Sequence, residues 1–107
     1  MSSPDNRVLA DDEVTQALAD LPGWTHAEGR LRRTFKFADF ADAWSFMCRS
    51  AFDAERLVHH PNWSNVYSTV EVELWSHDLG GVSQLCVELA TAMQGHAARF
   101  GAAAAAP

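Results

Sequence analysis

The hydrophobic pattern of this chain changes its period from about 3.6 residues to two and back again. A helical pattern stops at Pro22-Gly23, and an alternating pattern follows on both sides of a Glu28-Gly29 turn. A long helical pattern follows Asp39, and a second alternating pattern follows Pro61. One more helical pattern ends the series. The order predicts an α-β-β-α-β-β-α chain that forms one two-layer α+β domain, a four-stranded antiparallel sheet with three helices on one face.

The periods also predict which side chains share a face. We expect Asp11 or Asp12 to cap the first helix, Asp39 the second and Ser83 the third, while Pro61 ends the second. The predicted apolar faces of the helices are Val14, Ala17, Leu18 and Leu21, then Phe40, Trp44, Met47, Ala51, Ala54 and Val58, then Cys86, Leu89, Ala90, Met93 and Ala97. The alternating sets are Leu31, Arg33, Phe35 and Phe37 in the first hairpin, and Val66, Val70, Val72 and Leu74 in the second.

Chain length and net charge limit the classes of protein to which this chain can belong. The 107 residues suit one domain, which we place at residues 7–100, with 1–6 and 101–107 as disordered tails. A net charge of −6 argues against a nucleic-acid partner, because a phosphate backbone calls for a basic surface. No apolar run reaches the roughly 20 residues that span a bilayer. Two cysteines without a secretory signal predict a reduced, cytoplasmic protein.

Three histidines stand at the ends of predicted elements. His59 and His60 follow the long helix and precede Pro61, and His77 opens a loop with two glycines. Loops on a rigid scaffold commonly carry function. Glu55 precedes His59 by four residues, so both can lie on one helix face, where the carboxylate could orient the imidazole or raise its pKa. The pattern predicts a small polar site around the three histidines.

Other interpretations of these histidines stay open. Each one alone could be a solvent-facing loop residue, which is what we expect of His26 and His96. The three histidines and Asp78 could also form a zinc site, although helical His-x-x-x-His spacing is absent. Acid–base chemistry is favoured, because the unperturbed pKa of histidine lies near neutral pH.

Several blocks of the sequence resemble the pterin-4a-carbinolamine dehydratase family. The resemblance runs from about Trp24 to Ala90, and its most specific part is a His-His-Pro-x-Trp motif followed by a later His in a Gly-rich loop. The residues that carry it are Glu55–Trp63, Asn65–Tyr67, Val70–Leu74 and Ser76–Gly81, with Phe35, Phe37, Phe40, Phe46 and Met47 upstream.

The resemblance implies a fold, an assembly and a reaction. The fold is the same four-stranded antiparallel sheet with three helices on one face, and the assembly is a homodimer or homotetramer. The reaction is dehydration of a 4a-hydroxytetrahydropterin to the quinonoid dihydropterin, which recycles the tetrahydrobiopterin used by aromatic amino-acid hydroxylases. It needs no metal and no cofactor, and histidines can supply both the acid and the base.

The resemblance also implies roles for single residues. His59, His60 and His77 would bind substrate and transfer protons, and Pro61 and Trp63 would form a wall of the pterin pocket. Three further residues complete the predicted substrate-binding set: Glu55, Asp78 and Cys86.

Cys86 departs from the family pattern, which usually has an aspartate at this position. A cysteine there supplies no carboxylate, so we expect reduced activity, and Cys86→Asp should raise kcat/KM. Two interpretations of the thiol are open: a buried apolar side chain, or a thiol whose pKa is lowered by the helix N-terminus.

A protein-binding function is the alternative. Relatives of this fold also serve as a dimerisation cofactor for a homeodomain transcription factor and as an assembly factor for the carbon-fixing carboxylase. Such a module would have weak or no activity. The retained histidine motif favours the enzyme, and Cys86 mildly favours the binding module.

Overall fold

The computed structural model describes residues 7–104, so the predicted tail 1–6 and the last part of the tail 101–107 lie outside it. Three helices and four strands follow one another in the predicted order. Their bounds are α1 Asp11–Leu18, β1 Thr25–Ala27, β2 Arg30–Lys36, α2 Phe40–Leu57, β3 Asn62–Val66, β4 Thr69–Leu74 and α3 Gln84–Arg99. The α-β-β-α-β-β-α prediction is confirmed.

The strands form one antiparallel sheet in the order β1-β2-β4-β3. The two central strands pair Leu31 with Leu74 and Phe35 with Val70, and these side chains are fully buried. The other face carries the alternate charged residues, among which Arg32 and Glu73 form a 2.5 Å ion pair. The helices therefore cover only one face of the sheet, as predicted for a two-layer α+β domain.

The buried face of α3 is the predicted one, with Cys86, Leu89, Ala90, Met93 and Ala97 all in the core. Ser83 is the N-cap residue of α3 and Asp39 that of α2, where its carboxylate accepts from the Asp42 backbone N–H at 2.8 Å. The cap prediction for α1 was wrong. The N-cap residue is Ala10, whose backbone N–H donates to the Glu13 carboxylate at 2.8 Å, and Asp11 is already helical.

The predicted buried face of α2 was wrong in most of its residues, although Ala54 is buried and Met47 packs partly buried against the core. Phe40 and Trp44 are about half exposed and Val58 is 78% exposed. The residues that α2 buries are Ala43, Phe46, Ser50 and Ala54. Both faces of the helix are apolar, and three of the four residues on the buried face are small, which allows a close approach to the sheet and to α3.

Two boundaries differ from the sequence-based expectation. Helix α2 ends at Leu57, before Pro61 can act, because Val58 adopts a left-handed conformation. Val66 is exposed and does not share the buried parity of Val70, because a Tyr67-Ser68 turn separates β3 from β4.

The chain after α3 is held by backbone hydrogen bonds, although we predicted a disordered tail from residue 101. The backbone N–H of Ala102 donates to the Ala97 carbonyl at 2.9 Å, and that of Ala103 donates to the Lys36 carbonyl at 2.7 Å. Among residues 7–104, no helix is long and apolar enough to cross a membrane.

Candidate functional site

The C-terminal end of α2 and the loop after β4 together form an open cavity of about 240 Å³. It brings together the three histidines and the aspartate that the sequence analysis singled out, together with three residues that it did not. The lining residues are Val58, His59, His60, Trp75, Ser76, His77 and Asp78.

The turn at Val58 aims the two adjacent histidines. Val58 has φ 52° and ψ 43°, a left-handed conformation that is unusual for a β-branched residue. The backbone N–H of His59 donates to the Ala54 carbonyl at 3.0 Å, which completes a helix-terminating turn. His59 and His60 therefore leave the helical register of α2.

His60 contacts the carboxylate that we assigned to its neighbour. Its Nε2 lies 2.7 Å from Oε1 of Glu55, and both side chains are mostly exposed. The predicted Glu55–His59 pairing was wrong, because four-residue spacing requires a helix that continues through Val58. A carboxylate can only accept here, so Nε2 of His60 carries a proton and Nδ1 is left to exchange one.

His59 is half-buried and points inward to α3. Its Nε2 lies 3.1 Å from Sγ of Cys86, which is fully buried. Burial lowers the pKa of His59, and the neighbouring His77 and His60 lower it further. Burial raises the pKa of the Cys86 thiol, which favours the buried side chain over the thiol with a lowered pKa, the two interpretations that the sequence left open.

His77 is exposed and lies between an amide and an indole. Its Nε2 is 3.1 Å from Nδ2 of Asn62, and its ring centroid is 4.5 Å from that of Trp75. The guanidinium of Arg30 lies 4.0 Å from the Trp75 ring centroid. Trp75 and Asn62 are missing from the sequence-based site. Trp75 and His77 are two residues apart in an extended segment, so strand parity would have placed them on one side.

The loop that presents His77 is closed by its own backbone. Ser76 and Gly81 form an isolated β-bridge with an N–H to carbonyl distance of 2.8 Å, and the Ser76 hydroxyl accepts from the Leu79 N–H at 3.2 Å. Gly80 has φ 77°, and a Cβ at Gly81 would meet a Val8 methyl at 2.8 Å. This loop therefore requires both glycines of the motif.

The other residues assigned to substrate binding lie behind or beside the cavity. Cys86 and Glu55 contact histidines from outside its lining, and Pro61 is half-buried in the segment that leads into β3. Trp63 packs partly buried against the hydrophobic core, opposite Val72 of β4. None of these four lines the cavity.

The remaining histidines differ from each other. His26 lies on β1, away from the cavity. His96 was expected to be exposed, but its side chain is only 17% exposed and its Nε2 contacts the Asp53 carboxylate, so that prediction was wrong. The contact joins α3 to α2, and no local spacing reveals it because the partners are 43 residues apart.

At least four other cavities are larger, of about 490, 400, 380 and 350 Å³. The two largest of these lie beside Arg32, which is already paired with Glu73. None of the four is lined by His59, His60 or His77. Within the described part of the chain, no group of three or more His, Cys, Asp or Glu residues is placed to hold a metal ion.

Comparison with known proteins gives one consistent family. The family model for pterin 4 alpha carbinolamine dehydratase matches residues 7–96. A relative from Rhodopseudomonas palustris (strain BisB18), provisionally named pterin-4-alpha-carbinolamine dehydratase, is 52% identical over 94 residues, which cover 86% of this chain and 93% of the relative. A relative from Prochlorococcus marinus with the same provisional name is 42% identical, and the aligned region covers 83% of this chain and 93% of the relative.

A solved structure agrees with the fold. The crystal structure of a transcriptional coactivator/pterin dehydratase from Brucella melitensis superposes with a TM-score of 0.82 at 40% identity, over 86% of this chain and 99% of that one.

Proposed function

This chain belongs to the pterin-4a-carbinolamine dehydratase family, and from that premise we propose that it is a dehydratase of 4a-hydroxytetrahydropterin. The products would be water and the quinonoid dihydropterin, in the recycling of tetrahydrobiopterin in the cytoplasm. One observation carries the proposal: His59, His60 and His77 line a single open cavity, and each imidazole contacts a different partner.

The reaction needs two proton transfers. The 4a-hydroxyl accepts a proton and leaves as water, and a ring nitrogen of the pterin loses a proton as the new double bond forms. The protons balance, so the enzyme returns to its starting state without a metal or cofactor. Imidazoles can perform both transfers near neutral pH.

The contacts suggest how the work is divided. The carboxylate of Glu55 holds Nε2 of His60 and would stabilise the imidazolium that forms when Nδ1 takes a proton. Asn62 orients His77, and the exposed part of Trp75 offers the flat apolar surface that a pterin ring needs. Asp78 lies at the same cavity and can accept hydrogen bonds from the pterin amino group.

Turnover of the carbinolamine by the purified chain tests the proposal. The substrate can be generated in situ and its loss followed by absorbance against the uncatalysed rate. We expect clear acceleration, and a fall in kcat/KM by a factor of about 100 or more in His60→Ala. His26→Ala is the matched control and should keep full activity. A wild-type rate equal to the background would refute the proposal.

Self-association is a second proposal, based on the exposed face of α2. Phe40, Trp44, Cys48 and Phe52 are four residues apart, and all of them are exposed. Two antiparallel copies of this stripe would place Phe40 against Phe52 and Trp44 against Cys48, with opposed helix dipoles. We therefore propose a homodimer or homotetramer in which α2 pairs with a second copy.

Light scattering after gel filtration tests the assembly. The wild type should be a dimer or tetramer, and Trp44→Ser with Phe52→Ser should be a monomer with unchanged helix content. The paired control is Tyr67→Ser, which is 65% exposed but lies in the β3–β4 turn. A wild type that is monomeric and inactive, but binds another protein through α2, would favour the binding-module function instead.

A further inference from the structure

Cys86 stands directly behind one of the three histidines. It is the third residue of α3, fully buried, and its sulfur lies 3.1 Å from Nε2 of His59. The same sulfur is 3.5 Å from the backbone nitrogen of Ser83 and 3.6 Å from the Ser83 hydroxyl oxygen. The thiol is therefore one link in a chain of polar groups that runs from the start of α3 into the cavity.

The direction of the hydrogen bond follows from what each group can do. The Ser83 backbone N–H can only donate, so the sulfur accepts there. An imidazole nitrogen is a much better acceptor than sulfur, which is weak in that role. Burial raises the pKa of the thiol and lowers that of His59, so both partners are neutral near pH 7. The thiol hydrogen is then the one that lies between them.

We propose that Cys86 is a positioning residue that donates its thiol hydrogen to Nε2 of His59 and thereby holds the neutral ring in the tautomer with the proton on Nδ1. The tautomer is a property of the free protein, whereas its effect on catalysis rests on the proposed dehydratase function. In this state Nδ1–H is the donor that His59 can offer to a ligand oxygen.

A carboxylate at position 86 would reverse the arrangement. It has no hydrogen to donate at neutral pH, so Nε2 of His59 would have to carry the proton and the imidazolium would be stabilised. The other groups around His59 keep their identity in a position 86 variant: His60 and its partner Glu55, His77 and Asp78 beside the cavity, and Ser83 on α3, which contacts residue 86 itself. A change in His59 can therefore be assigned to residue 86.

Nitrogen NMR of the imidazole rings provides the test. In ¹⁵N-histidine-labelled protein above pH 7, His59 of the wild type should show a protonated Nδ1 and an unprotonated Nε2. Cys86→Ser keeps a donor and should keep that tautomer. Cys86→Asp should move the proton to Nε2 and raise the pKa of His59 by about one unit or more. His59→Gln assigns the signals, and His26 is the internal control whose signals should not move.

The outcomes separate this inference from the proposed function. A proton on Nε2 in the wild type, or the loss of the Nδ1–H tautomer in Cys86→Ser, would overturn the inference even if the enzyme turns over substrate. Because Cys86→Asp alters a buried site, circular dichroism checks that it folds, and Cys86→Ser alone still decides the matter if it does not. If the tautomers are as expected but no variant is active, only the proposed function fails.

The pH dependence of kcat/KM then shows whether the tautomer of His59 affects the reaction. In Cys86→Asp, the limb of the kcat/KM profile that His59 controls should move to higher pH, and kcat/KM near pH 7 should rise. Cys86→Ser should follow the wild-type profile. An unchanged profile in Cys86→Asp, with the tautomer reversed, would show that His59 protonation does not limit the reaction and would overturn the catalytic part of the inference.

Discussion

Two carboxylates of helix α2 each contact a histidine, and the two pairs differ in their exposure to solvent. Asp53 contacts His96 with both side chains only 16–17% exposed, whereas Glu55 contacts His60 with the carboxylate 79% and the imidazole 61% exposed. The carboxylates are two residues apart, so they leave the helix on different sides. Each pair joins a carboxylate to an imidazole, and burial is the main difference between them.

This difference decides what each histidine can do. The Asp53–His96 pair ties α2 to α3, and Arg56 adds a second contact to Asp53 at 2.9 Å. A buried polar group that loses its partner costs free energy, so the pair is kept for stability. The Glu55–His60 pair is exposed and contributes little to stability, but its imidazole can reach a ligand and exchange a proton. We infer that, of the two histidines paired with α2 carboxylates, the exposed His60 serves the site and the more buried His96 serves the scaffold.

Removal of the buried carboxylate should have the largest effect. Asp53→Ala leaves His96 and Arg56 without their acceptor, and we expect the free energy of unfolding to fall by about 2–3 kcal/mol. Urea unfolding followed by tryptophan fluorescence measures the change. Glu55→Ala, on the exposed side of the same helix, is the control. Equal stability of the two variants would remove the distinction between the pairs.

The pH dependence of stability sharpens the same contrast. The hydrogen bond from His96 holds the pKa of Asp53 below its usual value, and Arg56 assists. A carboxyl whose pKa is lower in the folded state stabilises the fold above its unfolded pKa of about 3.9 and loses this effect as the pH falls through the folded pKa. The stability gap between wild type and Asp53→Asn should therefore narrow as the pH is lowered below about 4. A constant gap from pH 6 to pH 3 would contradict the pairing.

The sequence predicted α3 well and α2 poorly, for a physical reason. Helix α3 has a single apolar face, and every residue assigned to it is buried. Helix α2 has two apolar faces, and the larger side chains, such as Phe40 and Trp44, lie on the exposed one. A prediction from hydrophobicity alone therefore selects the exposed face as the buried one. Only the space available against the sheet and α3 selects the face that carries Ala43 and Ser50.

The site shows the same limit. The order of elements and the motif were enough to predict that His59, His60 and His77 belong together. Their partners were not predictable, because the Cys86 and Asn62 contacts join residues 15 to 27 positions apart. The four-residue helical spacing of Glu55 and His59 did not predict a contact correctly. Val58 lies between the two residues and turns the chain out of the helix.

The strain at Val58 gives a prediction of intermediate size. Its side chain is 78% exposed, so substitution loses little packing, while glycine adopts the left-handed conformation without cost. Val58→Gly should raise the free energy of unfolding by about 0.5–1 kcal/mol, the gain from relieved strain less the entropy of a freer unfolded chain. Val66→Gly is the matched control, because Val66 is equally exposed but lies in a strand, where glycine should destabilise. Destabilisation by Val58→Gly would show that the turn is not strained.

Glu55→Gln should have the smallest effect on stability and still report on the site. The amide oxygen of glutamine can accept from Nε2 of His60 as the carboxylate does, so the ring orientation and the fold are kept while the charge is lost. The free energy of unfolding should change by less than about 0.5 kcal/mol, because an exposed ion pair contributes little. If the chain is the proposed dehydratase, kcat/KM should fall up to about fivefold, since a pair of this kind can stabilise an imidazolium by up to about 1 kcal/mol. A stability loss as large as that of Asp53→Ala would mean that the exposed pair is structural after all, and exposure would then no longer distinguish the role of His60 from that of His96.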